Sequence, residues 1–171
     1  MIYVDTNLIL SYIDEADPYH EKAVELIKTL GDRRVVSRLT LVELVSIFSR
    51  AGLEEPVALA LYSVRSIKAD MVQVDFNEVL NQAVKYAPIL RLRTLDLLHL
   101  VASLLAECRK FVTLDTDMIE KSGIISKTLG IALTGLKFNS VSNSSTSSLT
   151  TASRSTMSSS LRSSSRASLS S

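Results

Sequence analysis

The sequence predicts an α/β domain with a central, mostly parallel sheet of about five strands flanked by helices. Short apolar runs rich in Val, Ile, Phe and Tyr alternate with longer stretches whose apolar residues recur at helical spacing. Strands separated by helices are typical of parallel sheets whose faces are covered by those helices. The hydrophobic content of 46% is sufficient for a core of this kind.

Five short runs are the strand candidates. In chain order they are IYV (2–4), VV (35–36), MVQV (71–74), FVTL (111–114) and, with a weaker pattern, IALTG (131–135). Helical patterns fill the intervals, at residues 8–13, 20–30, 41–48, 56–67, 79–90 and 95–106. The last of these is apolar almost all round, which predicts a buried helix.

The composition changes after residue 138, which predicts a domain over 1–138 and a tail over 139–171. The tail consists mostly of Ser and Thr and cannot bury enough apolar surface to become ordered, so we expect it to be disordered. It carries Arg154, Arg162 and Arg166 and no acid, which leaves the domain with two more acids than bases. Bulk charge is therefore not expected to hold nucleic acid, and any such binding requires a local site.

The compartment is predicted to be the cytoplasm. Cys108 is the single cysteine, which excludes an internal disulfide. The first residues lack the basic segment of a signal peptide, and no run of about 18 uncharged apolar residues would span a membrane.

Four acids follow strands or open helices, and they are the candidate catalytic residues. They are Asp5, Glu43, Asp96 and Asp115, with Asp117 two residues after the last. In a parallel sheet such positions meet at one edge, where ligands bind. Two charges 5 Å apart repel by about 3 kcal/mol at an effective dielectric of ~20, so the cluster requires protonation or a cation. Oxygen ligands without Cys or clustered His favour Mg²⁺ or Mn²⁺.

Each acid taken alone also has a purely structural interpretation. Asp5 is a suitable helix N-cap, and Thr40-x-x-Glu43 matches a capping box. Thr94 is placed to cap the helix that carries Asp96. Since capping does not explain why all four acids occupy equivalent positions, the set favours a metal site.

The order of four motifs resembles the PIN-domain ribonucleases, and among them the small VapC-type toxins. The motifs are VDTN, SRLTLVELV, RTLDLLHLVAS and FVTLDTDM, and the resemblance covers about residues 1–135. It implies an endoribonuclease dependent on Mg²⁺ or Mn²⁺, in which Asp5, Asp96 and Asp115 hold the metal. Glu43 then completes the site or orients the attacking water. The resemblance further implies auxiliary roles for Asp117, Asn7 and Thr6, a homodimer, and a protein antitoxin whose peptide enters the acidic groove.

Several residues have two open interpretations. Arg38, Arg91 and Arg93 are candidates for holding RNA phosphates, or they are ordinary surface residues. His99 either orients a water or contacts phosphate, or it is a packed, hydrogen-bonded core residue. Residues 41–48 and 56–67 are candidates for a dimer surface or for packing within the domain.

Two other functions compete with RNA cleavage. A phosphatase with Asp5 as nucleophile needs a second Asp two residues on, where this chain has Asn7. A catalytically silent module would use the same acidic groove to bind a basic partner peptide.

Overall fold

The computed structural model describes residues 1–31 and 33–135, and within them it contains five strands and eight helices. The strands are β1 (Ile2–Val4), β2 (Arg34–Ser37), β3 (Ala69–Val72), β4 (Lys110–Val112) and β5 (Ala132–Thr134). The helices are α1 (Thr6–Ile13), α2 (His20–Thr29), α3 (Arg38–Arg50), α4 (Pro56–Ser66), α5 (Phe76–Leu90), α6 (Thr94–Leu105), α7 (Thr116–Glu120) and α8 (Ser122–Leu129). The predicted disordered tail, 139–171, lies outside the described residues, so the predicted boundary at 138 stays a prediction.

The strands form one sheet in the order β3-β2-β1-β4-β5, and every pair is parallel. β1 is central, and its Tyr3 lies between Val35 of β2 and Phe111 of β4. All carboxyl ends therefore lie at the same edge of the sheet, as the sequence predicted.

Helices cover both faces of the sheet and bury two separate apolar clusters. Successive strand residues face opposite sides. Tyr3 packs on the side of α5, α6 and α8, and its neighbours Ile2 and Val4 pack on the side of α1, α2, α3 and α4. The predicted buried helix is α6, of which six residues from Leu97 to Ser103 are buried. None of the helices in the described ranges is long and apolar enough to cross a membrane.

The capping box predicted at Thr40 and Glu43 is wrong. β2 continues to Ser37, whose hydroxyl oxygen accepts a hydrogen bond from the Leu39 N–H and caps α3. The helix therefore begins at Arg38, and Glu43 falls in its second turn rather than its first. Thr40 is fully buried inside the helix.

The caps of two other helices also differ from the prediction. Thr94 is the first residue of α6, and the residue in the cap position is Arg93. Asp115 caps α7 by accepting a hydrogen bond from the Met118 N–H. α7 and α8 were not predicted as elements.

The third strand begins two residues earlier than the run MVQV suggested. Asp70 and Met71 of β3 pair with Val35 and Val36, and both are exposed. Because β3 is an edge strand, its exposed residues carry a weaker apolar pattern than those of β1 and β4.

Candidate active site

The four predicted acids lie at the carboxyl edge of the sheet and interact electrostatically. Asp5 caps α1 directly after β1, and Glu43 lies in the second turn of α3. Asp96 lies in the first turn of α6, and Asp115 caps α7 beyond the end of β4. The charge of Glu43 acts on Asp5, and the charges of Asp5 and Asp115 act on Asp96.

Asp5 is the most buried member of this acidic cluster, with only 6% of its surface exposed. One carboxylate oxygen accepts the Thr6 N–H at 2.8 Å, and the other accepts the Thr113 hydroxyl at 2.6 Å. Burial raises the pKa of Asp5, and the charge of Glu43 raises it further. Helix capping and membership of the acidic cluster are therefore compatible roles for this residue.

Thr113 organises this part of the site, and the sequence interpretation did not identify it. Besides donating to Asp5, its hydroxyl oxygen accepts the Asp115 N–H at 3.0 Å and the side-chain amide of Asn7 at 3.0 Å. The amide oxygen of Asn7 in turn accepts the Leu114 N–H at 3.1 Å. The only local signal for Thr113 is a hydroxyl residue within the apolar run FVTL.

Asp96 is half-buried, and its pKa is raised to about 6. Burial is the main cause, followed by the charges of Asp5 and Asp115; the charge of Arg93 and the neighbouring His99 ring oppose the shift. A carboxyl group whose pKa is raised by burial and by neighbouring carboxylates is typical of functional sites.

Glu43 is held by His99 from the buried helix α6. The His99 Nε2 lies 3.0 Å from the Glu43 Oε2, and the Glu43 side chain is 16% exposed. His99 itself is 1% exposed, and its Nδ1 lies 3.0 Å from the Tyr3 hydroxyl. Of the two interpretations of His99, the structure shows the packed, hydrogen-bonded core residue. One of its hydrogen-bond partners is Glu43, a predicted catalytic acid.

The three arginines are all exposed, and they have different surroundings. Arg93, the cap residue of α6, pairs with Asp117 of α7 at 3.1 Å. The backbone carbonyl of Arg91 accepts a hydrogen bond from the Lys121 ammonium. Arg38 lines a cavity of about 470 Å³ whose other lining residues are Ser37, Leu39, Val42, Val72, Gln73, Val74 and Phe76.

The donor set fits a hard divalent cation by chemistry and by charge. All four predicted acids supply oxygen ligands, the type that Mg²⁺ and Mn²⁺ prefer. The hydroxyl oxygen of Thr6, the residue after Asp5, is buried without a hydrogen-bond partner, as expected beside a site that binds water or a ligand. Among the described residues, however, no three His, Cys, Asp or Glu side chains lie close enough to hold an ion as they stand. Metal ligation therefore requires these side chains to approach one another.

Comparison with known proteins assigns the chain to a family. The profile of the PIN domain matches residues 2–124. The chain belongs to the PIN-domain family. PIN domains are generally nucleases and typically use divalent metals.

Solved structures with a similar fold agree with the PIN assignment. VapBC-1 from nontypeable Haemophilus influenzae is 17% identical with a TM-score of 0.54, over 79% of this chain and 98% of that chain. FitAcB from Neisseria gonorrhoeae is 15% identical with a TM-score of 0.53, over 78% and 96%. VapBC2 from Rickettsia felis, bound to a DNA fragment from its promoter, is 16% identical with a TM-score of 0.50, over 80% and 100%. No curated protein matches the sequence.

Proposed function

We propose that this PIN domain is an endoribonuclease that depends on Mg²⁺ or Mn²⁺ and acts in the cytoplasm as the toxin of a toxin–antitoxin pair. The observation that carries the proposal is the position of Asp5, Glu43, Asp96 and Asp115 at one carboxyl edge of the sheet, where burial and neighbouring acids raise the pKa of Asp5 and of Asp96. Such an arrangement favours a bound cation over continued repulsion between carboxylates.

Asp5, Asp96 and Asp115 are the proposed metal ligands. When bound, a divalent cation supplies Lewis-acid stabilisation of the charge that builds on the phosphoryl oxygens during hydrolysis. Thr113 supports two of these ligands, since its hydroxyl binds the Asp5 carboxylate and the Asp115 N–H. Hydrogen bonds of this kind hold a ligand in place before the cation arrives.

Glu43 is the proposed general base. Its carboxylate interacts with Asp5 across the site and is accessible to water at its 16% exposed side chain. In this role it orients the attacking water and accepts a proton from it as the phosphodiester bond breaks.

RNA is proposed to approach over the exposed arginines at the rim of the site. Arg93 caps α6, which carries Asp96, and Arg38 begins α3, which carries Glu43, so each arginine belongs to the start of a helix that contributes an acid. Phosphate contacts from such residues position the strand without reading its sequence. Asn7, Thr6 and Asp117 line the same edge as auxiliary residues.

The antitoxin is proposed to be a protein with a basic segment. The solved structures of similar fold include a toxin–antitoxin complex from Klebsiella pneumoniae and VapBC pairs. A basic peptide in the groove would neutralise the same carboxylates that the cation neutralises, and it would thereby block cleavage.

A homodimer is proposed to form through the exposed apolar residues of α3 and α4, two helices that pack against each other. Val57 and Leu61 lie one turn apart on α4 and are 54% and 37% exposed, and Val42 of α3 is 65% exposed. Val57→Glu is expected to give a monomer by light scattering, and Val84→Glu, on α5 at the other face of the sheet, is expected to leave the dimer intact. A dimeric Val57→Glu variant would contradict this choice of surface.

The proposed activity is tested by a metal-dependence assay on labelled tRNA and rRNA. We expect internal cleavage by the full chain with Mn²⁺ or Mg²⁺ and none after chelation. Absence of cleavage by a folded chain that binds a basic peptide would overturn the proposal in favour of a silent binding module.

A further inference from the structure

A buried chain of hydrogen bonds ends on the carboxylate of Glu43. The Ser37 Oγ lies 2.7 Å from the Tyr3 hydroxyl oxygen, which lies 3.0 Å from His99 Nδ1. The His99 Nε2 then lies 3.0 Å from the Glu43 Oε2. Ser37, Tyr3 and His99 are each at most 1% exposed, so water does not compete for these bonds.

The bonds in this chain have one consistent direction. An ionised carboxylate only accepts, so the His99 Nε2 donates to Glu43. In a neutral ring the Nδ1 then accepts, and the Tyr3 hydroxyl donates to it. At the far end the Ser37 Oγ accepts the Leu39 N–H at 3.2 Å, which leaves its own proton for Tyr3. With a neutral His99 ring every donor points toward Glu43, and successive bonds strengthen one another.

The rings in the chain are fixed by packing. Tyr3 lies in the central strand and stacks on Phe111 with ring centroids 5.3 Å apart and planes within 9°. It meets His99 edge-on, with centroids 6.0 Å apart. His99 follows Asp96 by one turn of α6, and Glu43 belongs to α3. The chain of hydrogen bonds therefore fixes Glu43 of α3 relative to α6, the helix that carries both His99 and Asp96.

We infer that His99 is a positioning residue for the proposed nuclease site and that Tyr3 acts through it. The inference rests on the proposed function. His99 holds the flexible Glu43 side chain, through its Oε2, in the orientation that the reaction uses. Neither His99 nor Tyr3 touches RNA, since both are buried.

Cleavage kinetics of full-chain variants separate positioning from simple packing. Partners that orient a ligand or base typically contribute about 10- to 100-fold, so we expect His99→Leu to lower kcat by this factor with KM unchanged. His99→Gln keeps an N–H donor at the position of Nε2 and is expected to recover most of the activity. His20→Gln, at the other histidine, which binds the Ser11 carbonyl away from the site, is the matched control and should keep wild-type kcat. Equal losses in His99→Leu and His99→Gln would overturn the inference.

A double-mutant cycle tests the role of Tyr3. Tyr3→Phe keeps the stacked ring and removes only the hydroxyl, so it is expected to lower kcat in the wild type. It should have no further effect in His99→Leu, because its partner is already absent. The same fold loss in both backgrounds would show that Tyr3 does not act through His99.

Nuclear magnetic resonance of the ¹⁵N-labelled imidazoles shows which ring nitrogen of His99 carries a proton, and this measurement does not depend on RNA cleavage. We expect a proton on Nε2 of His99, and a shift of that resonance but not of His20 in Glu43→Gln. An unprotonated Nε2 in the wild type would overturn the inference, whether or not RNA is cleaved. Absence of cleavage together with the expected spectrum would instead overturn the proposed function and leave the hydrogen-bond chain established.

Discussion

Replacing Asp96 with Asn is expected to stabilise the metal-free protein. Burial and two neighbouring carboxylates raise its pKa from 3.8 to about 6, which corresponds to at most about 3 kcal/mol of destabilisation of the charged form. Asp96 is only half-buried, so solvent screening reduces this to about 1–2 kcal/mol. The substitution also removes a favourable charge from the first turn of α6, a loss of about 0.5 kcal/mol.

The net gain of about 1 kcal/mol should raise the Tm by roughly 3–5 °C in a domain of this size. The assay is thermal unfolding of the full chain with a chelator, at pH 7.5. Glu21→Gln, an exposed first-turn acid of α2, is the matched control and should lower the Tm slightly. Added Mn²⁺ should raise the Tm of the wild type more than that of Asp96→Asn. An Asp96→Asn variant that melts below the wild type without metal would refute repulsion within the acidic cluster.

Three further predictions follow from the same geometry. The stability advantage of Asp96→Asn should be absent near pH 4 and grow toward pH 7, because the folded-state pKa of about 6 exceeds the unfolded value of about 3.9. Urea unfolding across this range measures the difference in free energy of unfolding between variant and wild type, and a difference independent of pH would contradict the prediction. Thr113→Val should lower the free energy of unfolding in urea by about 1–3 kcal/mol and raise the pKa of Asp5, whereas Thr113→Ser keeps the hydroxyl and should be more stable than Thr113→Val. Equal stability of the two variants would contradict the hydrogen bond from Thr113 to Asp5. Arg93→Gln should weaken RNA binding and reduce the slope of log binding constant against log salt concentration by about 1. Arg33→Gln, which breaks a similar exposed ion pair with Asp70 at the opposite edge of the sheet, should do neither, and equal effects of the two substitutions would exclude a local role for Arg93.

The fold was predictable because the central strands have strong local patterns. β1 and β4 are buried on both faces, so each appears in the sequence as a compact apolar run. β3 was misplaced by two residues because it lies at the sheet edge and exposes Asp70 and Met71. α7 and α8 are short and half-exposed, and their apolar spacing is too brief to predict a helix.

The sequence predicted the acids of the candidate site, because their place in a parallel sheet follows from the order of strands and helices, but it did not predict the hydrogen bonds between distant residues. Strand-to-helix transitions indicated the four acids, because such transitions meet at one edge. Thr113 donates to a residue 108 positions away, and Tyr3 binds a residue 96 positions away, so neither contact leaves a local pattern. The capping box at Thr40 failed for a related reason: the local motif was present, but β2 extends far enough for Ser37 to cap the helix first.

Cleavage by Asp5→Asn is the most direct test of a catalytic acidic cluster. Asn retains the size of Asp and an oxygen that accepts the Thr6 N–H, so the fold should survive, which circular dichroism and thermal unfolding check. The measurement is the rate of RNA cleavage with saturating Mn²⁺, for the wild type and Asp5→Asn at equal concentration. We expect metal-dependent cleavage by the wild type and none by the folded variant, whereas wild-type cleavage by Asp5→Asn would contradict the assignment of this edge as the active site.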